Sequence, residues 1–243
     1  MSIRSIEHSP RAYARLGGAL YLAIILFGAF AEGFVTNKLL VAGDAAATAH
    51  RILATPALWR LGVAANVLVV VCAVPLLWIE YLLLRPVSKS LVLLAALLNL
   101  VSLSVEAVSK AFMLVVLPTL ESAELQAFGP QQVPVLANLA LKLHAISFNV
   151  ALVFFGFTCL VNGYLIFKSG YLPKVLGILL QVGGGGYLVG CSAALFAPAL
   201  AGVLLPGILV LPLVGELSLC LWLLVKGVNR AKWQERLRQS PGN

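Results

Sequence analysis

The sequence predicts an all-α membrane protein, in which six transmembrane helices form one bundle. Three observations predict this class: 61% of the 243 residues are hydrophobic, only 11% are charged, and the mean hydropathy is +1.00. A soluble domain carries roughly 25% charged residues. This chain has too few charges to cover a globular surface, so the lipid bilayer must be its main solvent.

Six apolar runs reach the length of about 20 residues that a helix needs to cross the hydrocarbon core. Because the fourth run is longer than a bilayer requires, we expect it to tilt or to project from the membrane at its Pro134 end. No segment between the runs is long enough for a separate soluble domain, which predicts a single domain over residues 1–243. The spans are expected at about residues 14–36, 58–84, 91–117, 135–167, 175–196 and 204–225.

The basic residues predict the orientation of the chain. The first run is too long for the hydrophobic part of a cleavable signal peptide, so we expect it to remain as a span. If the N-terminus is cytoplasmic, the outer segments hold only Lys38, Arg51 and Arg60, whereas the cytoplasmic segments hold most of the others, including Arg4. The positive-inside rule therefore places both termini in the cytoplasm. The basic tail, residues 226–243, is then an orientation signal and solvated end, with recognition of anionic lipid as the alternative.

The connection after the first span, GDAAATAHRILATPALW, predicts a short helix. Asp44 stands where an N-cap residue would accept a backbone hydrogen bond, and Pro56 is expected to end the helix. Ile52, Leu53 and Trp59 suggest that this helix lies along the membrane interface.

Two charged residues interrupt the third span in SVEAVSKAFM, residues 104–113. Glu106 and Lys110 are four residues apart, so they share one helix face, and the same face carries Asn99 and Ser102. A charged side chain at the centre of a bilayer costs about 2.5–3.5 kcal/mol on insertion scales. This polar stripe must therefore face the bundle interior or a wet cavity.

Other spans carry polar groups at a similar predicted depth, in the outer half of the membrane. On the fourth span Lys142 and Asn149 share a face, whereas His144 points nearly opposite. Glu80 lies near an inner end, where we expect it to reach the headgroups or Arg85. The candidate ligand-binding residues are Glu32, Asn99, Glu106, Lys110, Lys142, His144, Asn149 and Glu216. Intramembrane ionisable groups are usually functional, but their balanced signs leave structural ion pairs as the alternative.

The fifth span contains QVGGGGYLVG, residues 181–190. A phosphate-binding loop would need a preceding strand and a following Lys and Ser or Thr, and these are lacking. The glycines favour close helix packing, with local unwinding beside a cavity as the alternative. Pro75 in the second span and these glycines lie at corresponding places in the two halves, which is a weak indication of a transporter built from inverted repeats.

The residues that carry enzyme chemistry form no known motif in this sequence. The cysteines form no CxxC pair and the three histidines form no HExxH motif, so we predict neither a metal site nor a cofactor. A hydrolase would depend on His144, with Ser147 as the nearby hydroxyl. Because basic residues cluster at the ends of apolar runs rather than in a groove, nucleic acid is excluded as a partner.

Several segments resemble one known family. AYARLGGALYLAIILFGAFAE, GDAAATA, LHAISFNVALVFF, FKSGYLPKVLG and GELSLCLWLLVKGV are similar to the bacterial integral-membrane family called domain of unknown function 4386. The resemblance covers nearly the whole chain and implies about six helices in the bacterial inner membrane, with no assigned activity or catalytic residues. Asp44, His144 and Glu216 fall within its recurrent motifs, whereas the Glu106/Lys110 pair and the glycine run are not features of it.

The sequence therefore favours a non-enzymatic multi-pass membrane protein. Its charged residues predict a polar pocket, open toward the outside, that binds or transports a small polar or amphipathic ligand. The first alternative is an accessory subunit that packs against other membrane subunits in a larger complex. The second alternative is an intramembrane hydrolase that uses His144.

Overall fold

The computed structural model describes residue 6, residues 9–127, residue 129 and residues 131–239. Arg4, which belongs to the predicted cytoplasmic charges, lies outside the described residues, as do residues 240–243 of the basic tail. The described part consists of helices and connections, with no β-strand.

Six helices in the described part are long and apolar enough to cross a membrane, which confirms the predicted class. They are α1 (Pro10–Leu39), α3 (Pro56–Leu84), α4 (Lys89–Glu121), α6 (Gln132–Ser169), α7 (Lys174–Phe196) and α9 (Gly207–Val225, which starts with a 3-10 turn). Shorter helices are α2 (Ala45–Ala54), α5 (Ala123–Gln126), α8 (Pro198–Leu204) and α10 (Arg230–Gln239).

The structure departs from the sequence predictions at the last span, at Pro75 and the glycine run, and within α1. The last span begins at Gly207 rather than at residue 204, because Pro198–Leu204 forms a helix of its own. α3 continues through Pro75 and α7 continues through the glycine run, so neither shows the break expected of an inverted-repeat transporter. The irregular backbone lies instead in α1, where Ala29–Thr36 is π-helical.

The chain divides into two compact units. Unit 1 consists of the described residues within Met1–Ala23, Cys72–Leu103 and Asn149–Asn243, and unit 2 consists of those within Ile24–Val71 and Ser104–Phe148. Four helices, α1, α3, α4 and α6, contribute residues to both units. The single domain predicted for the whole chain stays a prediction.

In unit 2, α2 packs on an apolar core. The predicted N-cap is confirmed, since the Asp44 carboxylate accepts a hydrogen bond of 2.8 Å from the Ala47 amide. Ile52 and Trp59, which were expected at the membrane interface, are fully buried in this core together with Val116. Leu53 remains exposed. The helix is thus held by the protein interior, because its apolar face has a protein surface to cover.

In unit 1, the glycine run of α7 allows backbones to approach closely. A Cβ atom on Gly184 would lie 2.7 Å from the carbonyl oxygen of Gly156, and one on Gly183 would lie 2.8 Å from the Cα of Pro212. One face of α7 therefore packs on α6 and another on α9, as small-residue contacts in membranes do. The packing interpretation of this motif is confirmed and the unwinding alternative is wrong.

The tail of unit 1 is partly folded rather than only solvated. Trp233 of α10 is completely buried, and its indole N–H donates to the carbonyl oxygen of Leu83 at 2.9 Å. The Tyr171 hydroxyl donates to the same oxygen at 2.7 Å. The carbonyl at the end of α3, which has no partner within its own helix, therefore receives two donors from outside it.

Gly184→Ala should destabilise the protein by about 1–3 kcal/mol, because the added methyl group has no room beside Gly156. Gly185→Ala is the matched control: nothing lies within 4 Å of its Cβ position, and alanine is favoured over glycine in a helix by about 0.5–1 kcal/mol. Unfolding of the purified protein in detergent would measure both free energies. Equal effects of the two substitutions would contradict the packing role of the glycine run.

Tyr171→Phe should remove a pH dependence of stability. Burial raises the pKa of Tyr171 above its ordinary value of 10.0. The unfolded chain then loses this proton first, so native stability falls as pH rises above about 10, by about 1.4 kcal/mol per pH unit for one group. The difference in unfolding free energy between wild type and Tyr171→Phe should shrink along that slope between pH 10 and 11. A constant difference would show that Tyr171 titrates alike in both states.

Candidate functional site

The charged residues of unit 2 meet in one group, which we call the charge cluster: Glu32, Glu106, Lys110 and His144. Glu32 comes from the π-helical segment of α1, Glu106 and Lys110 come from α4, and His144 comes from α6. Three helices that are distant in sequence thus place ionisable groups at one point.

Lys110 is the centre of the charge cluster and its side chain is only 3% exposed. Its Nζ lies 3.6 Å from Glu106 Oε1 and 3.9 Å from Glu32 Oε1. The same ammonium lies 4.2 Å from the ring centroid of Phe148. Two carboxylates and an aromatic face therefore surround this buried cation, and both kinds of contact offset part of its desolvation.

Glu32 reaches the cluster from an unusual backbone. The π-helical segment Ala29–Thr36 replaces the ordinary α-helical register at this residue. π-helical turns are rare and occur frequently at functional sites, since they turn a side chain away from its regular direction. The sequence did not predict this π-helical segment, because Glu32 falls within an apolar run that is long enough for a regular helix.

His144 connects α6 to both other helices. Its Nδ1 donates to the carbonyl oxygen of Ser109 at 3.1 Å, which leaves Nε2 to face Glu32 Oε1 at 3.9 Å. The imidazole also stacks on Phe148, with ring centroids 5.8 Å apart. Because Nδ1 carries the donated proton, Nε2 is an acceptor in the neutral ring and a second donor in the protonated ring.

The distances inside the cluster are longer than direct hydrogen bonds. A charge-assisted N–H···O bond measures about 2.7–2.9 Å, whereas Glu32 Oε1 lies 3.9 Å from both nitrogens that face it. This oxygen is buried and accepts no hydrogen bond from any described residue. The charges are also unequal, since two carboxylates face one ammonium and a histidine that is charged only when protonated.

The remaining predicted site residues lie elsewhere. Lys142 is exposed on α6 and takes no part in the ion pairs of the described residues, which corrects its expected place in a buried pocket. Because Lys142 and His144 point in nearly opposite directions, the helix can bury only one of them, and it buries His144. Asn99, Asn149 and Glu216 belong to unit 1; Asn99 is buried, Asn149 is half-buried, and Glu216 Oε1 accepts a 2.6 Å hydrogen bond from the Tyr187 hydroxyl.

Glu80 of unit 1 also differs from its expected role at the membrane surface. Its Oε2 accepts a hydrogen bond from the Asn162 side chain at 3.1 Å, within the unit. The sequence did not predict this hydrogen bond, because the position of a residue along a helix does not reveal which neighbouring helix its side chain faces.

The hydrolase alternative gains no support from the surroundings of His144. Among the described residues, the Ser147 hydroxyl that was predicted beside His144 makes no hydrogen bond to its ring. The hydroxyl of Ser109 donates to the carbonyl oxygen of Glu106 at 2.7 Å, rather than to the imidazole. Within the described residues, the ring nitrogens of His144 face only the Ser109 carbonyl and Glu32. A nucleophile and base would have to be within hydrogen-bond reach of each other.

A cavity of about 270 Å³ lies elsewhere in unit 2, between α3 and α4. Its walls are mainly apolar, and the Arg60–Glu121 ion pair, 3.6 Å long, lies among its lining residues. None of the predicted site residues lines it. In the part of the chain that the structure describes, no group of three or more His, Cys, Asp or Glu side chains is placed to hold a metal ion.

Comparison with known proteins gives one family and one distant relative. The family model described as "Domain of unknown function (DUF4386)" matches residues 16–227. An uncharacterized protein from Archaeoglobus fulgidus is 30% identical over 79 residues, which cover 32% of this chain and 45% of that protein. The matched part therefore spans less than half the length of this relative. No solved structure matches the chain.

Lys110→Met should destabilise the protein by about 3–5 kcal/mol, because it leaves the largely buried Glu106 carboxylate and the half-buried Glu32 carboxylate without their cation. Arg60→Met is the matched control: it breaks an ion pair whose side chains are 66% and 44% exposed, which should cost at most about 1 kcal/mol. Adding Glu106→Gln to Lys110→Met should restore part of the loss. Equal small losses for Lys110→Met and Arg60→Met in detergent unfolding would contradict a desolvated cluster.

Proposed function

Since the chain belongs to the DUF4386 family, whose function is unknown, we propose its function from geometry: it is a multi-pass membrane protein that binds a small polar ligand at the charge cluster. The observation that carries this proposal is the buried Glu32 Oε1, which accepts no hydrogen bond from the described residues although two nitrogens face it at 3.9 Å. A buried acceptor of this kind is normally satisfied.

The distances within the charge cluster support a binding site over a purely structural ion pair. A structural network gains most when its charged groups touch directly, because the Coulomb energy must offset the desolvation of each ion. Here Lys110 stands 3.6 and 3.9 Å from its two carboxylates. A small group that donates to Glu32 Oε1 would complete the coordination, as bridging molecules do across polar gaps of this size.

The side chains define the chemistry of the ligand. Glu32 Oε1 offers an acceptor and Lys110 Nζ offers donors, whereas His144 Nε2 accepts in the neutral ring and donates in the protonated ring. A ligand that carries a donor and an acceptor on neighbouring atoms, such as a small zwitterion or hydroxylated molecule, would satisfy all three. Phe148 adds an apolar wall beside the ammonium and the imidazole. Glu32 stands on a π-helical segment, a backbone form that is enriched at functional sites.

We further propose that both termini face the cytoplasm and that the membrane is the inner membrane of a bacterium. The distribution of lysine and arginine supports the orientation. It would place the charge cluster in the outer half of the membrane, open to a ligand from outside. A reporter fused to the C-terminus that is active only in the cytoplasm tests this orientation, and an inactive reporter would reverse it.

The two alternatives have less support. An accessory subunit would present apolar residues to other subunits, but exposed apolar side chains on the spans are equally expected for contact with lipid. Transport of the ligand would extend the binding proposal, since a transporter must first hold its substrate. The hydrolase alternative would need a nucleophile within hydrogen-bond reach of His144, and the charge cluster contributes no Ser–His or Cys–His pair.

Native mass spectrometry of the protein, purified in mild detergent, tests the binding proposal. We expect a discrete small adduct on the wild type whose mass identifies the ligand class. Glu32→Met should lose this adduct while the protein remains folded, because both carboxylate oxygens are removed. Glu121→Met is the matched control, since it removes an exposed glutamate of the same unit, and it should retain the adduct.

Two outcomes would overturn the proposal. The first is an adduct that persists unchanged in Glu32→Met, which would locate the ligand elsewhere. The second is the absence of any adduct together with a stoichiometric protein partner, which would favour the accessory-subunit alternative.

A further inference from the structure

Unit 1 contains a small cavity that faces polar groups from three helices. The cavity has a volume of about 10 Å³, which is the space of a single water-sized sphere. Its polar lining residues include Glu80 of α3, Asn99 of α4 and Asn162 of α6. The rest of its lining is apolar except for Tyr81 and consists of Leu77, Val92, Ala95 and Ala96. Any occupant is therefore a single atom or a water molecule, and not an organic ligand.

Two of the lining residues, Asn99 and Asn162, each carry a side-chain oxygen, Oδ1, that is buried and accepts no hydrogen bond from the described residues. Each of these asparagines is only 6% exposed. The orientation of Asn162 is set by its partner, because its Nδ2 donates to Glu80 Oε2 at 3.1 Å. Asn162 Oδ1 is therefore the amide atom that has no hydrogen-bond partner among the described residues. Two independent helices supply acceptors that have no donor, which is unusual for buried side chains.

The charge carried by the lining residues of the cavity also favours a positive occupant. Glu80 brings the one carboxyl group among the residues that line the cavity. When ionised, this group supplies a single negative charge. The site therefore has acceptors and negative charge, and it would be stabilised by a positive occupant.

We propose that unit 1 binds one monovalent cation of the size of sodium at this cavity, with Glu80, Asn99 and Asn162 as oxygen ligands. Carboxylate and amide oxygens are the ligands that hard cations prefer. One nearby carboxylate balances a single positive charge. Magnesium fits less well, because it usually retains several water molecules in a strict octahedron and the cavity has room for one sphere.

This inference is independent of the charge cluster, since its ligands all belong to unit 1. It assigns a role to Glu80 and Asn162, which the proposed ligand site does not use. The sequence predicted that Asn99 shares a polar stripe with Glu106 and Lys110. In the structure, Asn99 lines the cavity of unit 1.

Thermal unfolding of the full-length protein in mild detergent tests the cation site. Choline chloride is replaced stepwise by sodium chloride at constant ionic strength and pH, so that only the small cation changes. We expect the wild-type Tm to rise with sodium and to saturate, because a cation bound only to the native state stabilises it by mass action. Magnesium chloride at matched ionic strength should give a smaller rise.

Substitutions locate the effect. Glu80→Gln keeps the shape of the side chain and an acceptor for Asn162 but removes the charge, so it should abolish the sodium-dependent rise. Asn99→Ala removes the side-chain amide, and with it one of the proposed oxygen ligands, so it should weaken or abolish the rise. Gln181→Met is the matched control: Gln181 carries a side-chain amide in the same unit, donates it to the Leu160 carbonyl at 3.4 Å, and does not line the cavity. It should retain the full response.

Two results would overturn the inference. A wild-type Tm that is equal in choline and sodium would mean that the cavity holds only water or a proton on Glu80. A sodium response that survives in both Glu80→Gln and Asn99→Ala would place the cation elsewhere. If Glu80→Gln fails to fold, the wild-type titration and Asn99→Ala still decide the question.

Discussion

A polar group inside a hydrocarbon solvent must find its partner within the protein, because lipid offers no hydrogen bonds. This constraint explains the helical backbone of the spans and the placement of nearly every polar side chain described above. Ser102 donates to the carbonyl oxygen of Ala151 at 2.7 Å, and Tyr187 donates to Glu216 at 2.6 Å. Lys110 needs such partners most, because its charged side chain is only 3% exposed. It lies beside two carboxylates and an aromatic ring.

Close approach of backbones makes these internal partners reachable. In unit 1 the glycines of α7 bring that helix against Gly156 of α6 and Pro212 of α9. At the end of α3, the Leu83 carbonyl receives donors from Tyr171 and Trp233. Small residues therefore shorten the distance between helices. Helix ends supply backbone groups that have no hydrogen-bond partner within their own helix.

The same constraint makes the exceptions informative. Buried acceptors without a donor are rare in native proteins. Among the described residues they include the Glu32 carboxylate and the Thr36 hydroxyl in unit 2, and the Asn99 and Asn162 amides in unit 1. In both units the orphaned oxygens accompany a carboxylate rather than an apolar wall alone. For this reason we propose binding at both places, of a small polar molecule in unit 2 and of a single cation in unit 1.

The sequence by itself determined the class of this protein. Apolar runs of more than 20 residues and an 11% charged fraction require membrane helices, and the N-cap at Asp44 and the close-packing glycines follow from local chemistry. The i, i+4 spacing also identified Glu106 and Lys110 as a pair. Only the tertiary structure decided which distant residues complete the sites. Helical periodicity says that Lys142 and His144 face different ways, but not which of them faces Lys110. The π-helical turn that carries Glu32, and the meeting of Glu80 with Asn162, depend on contacts between helices far apart in sequence, which no local pattern encodes.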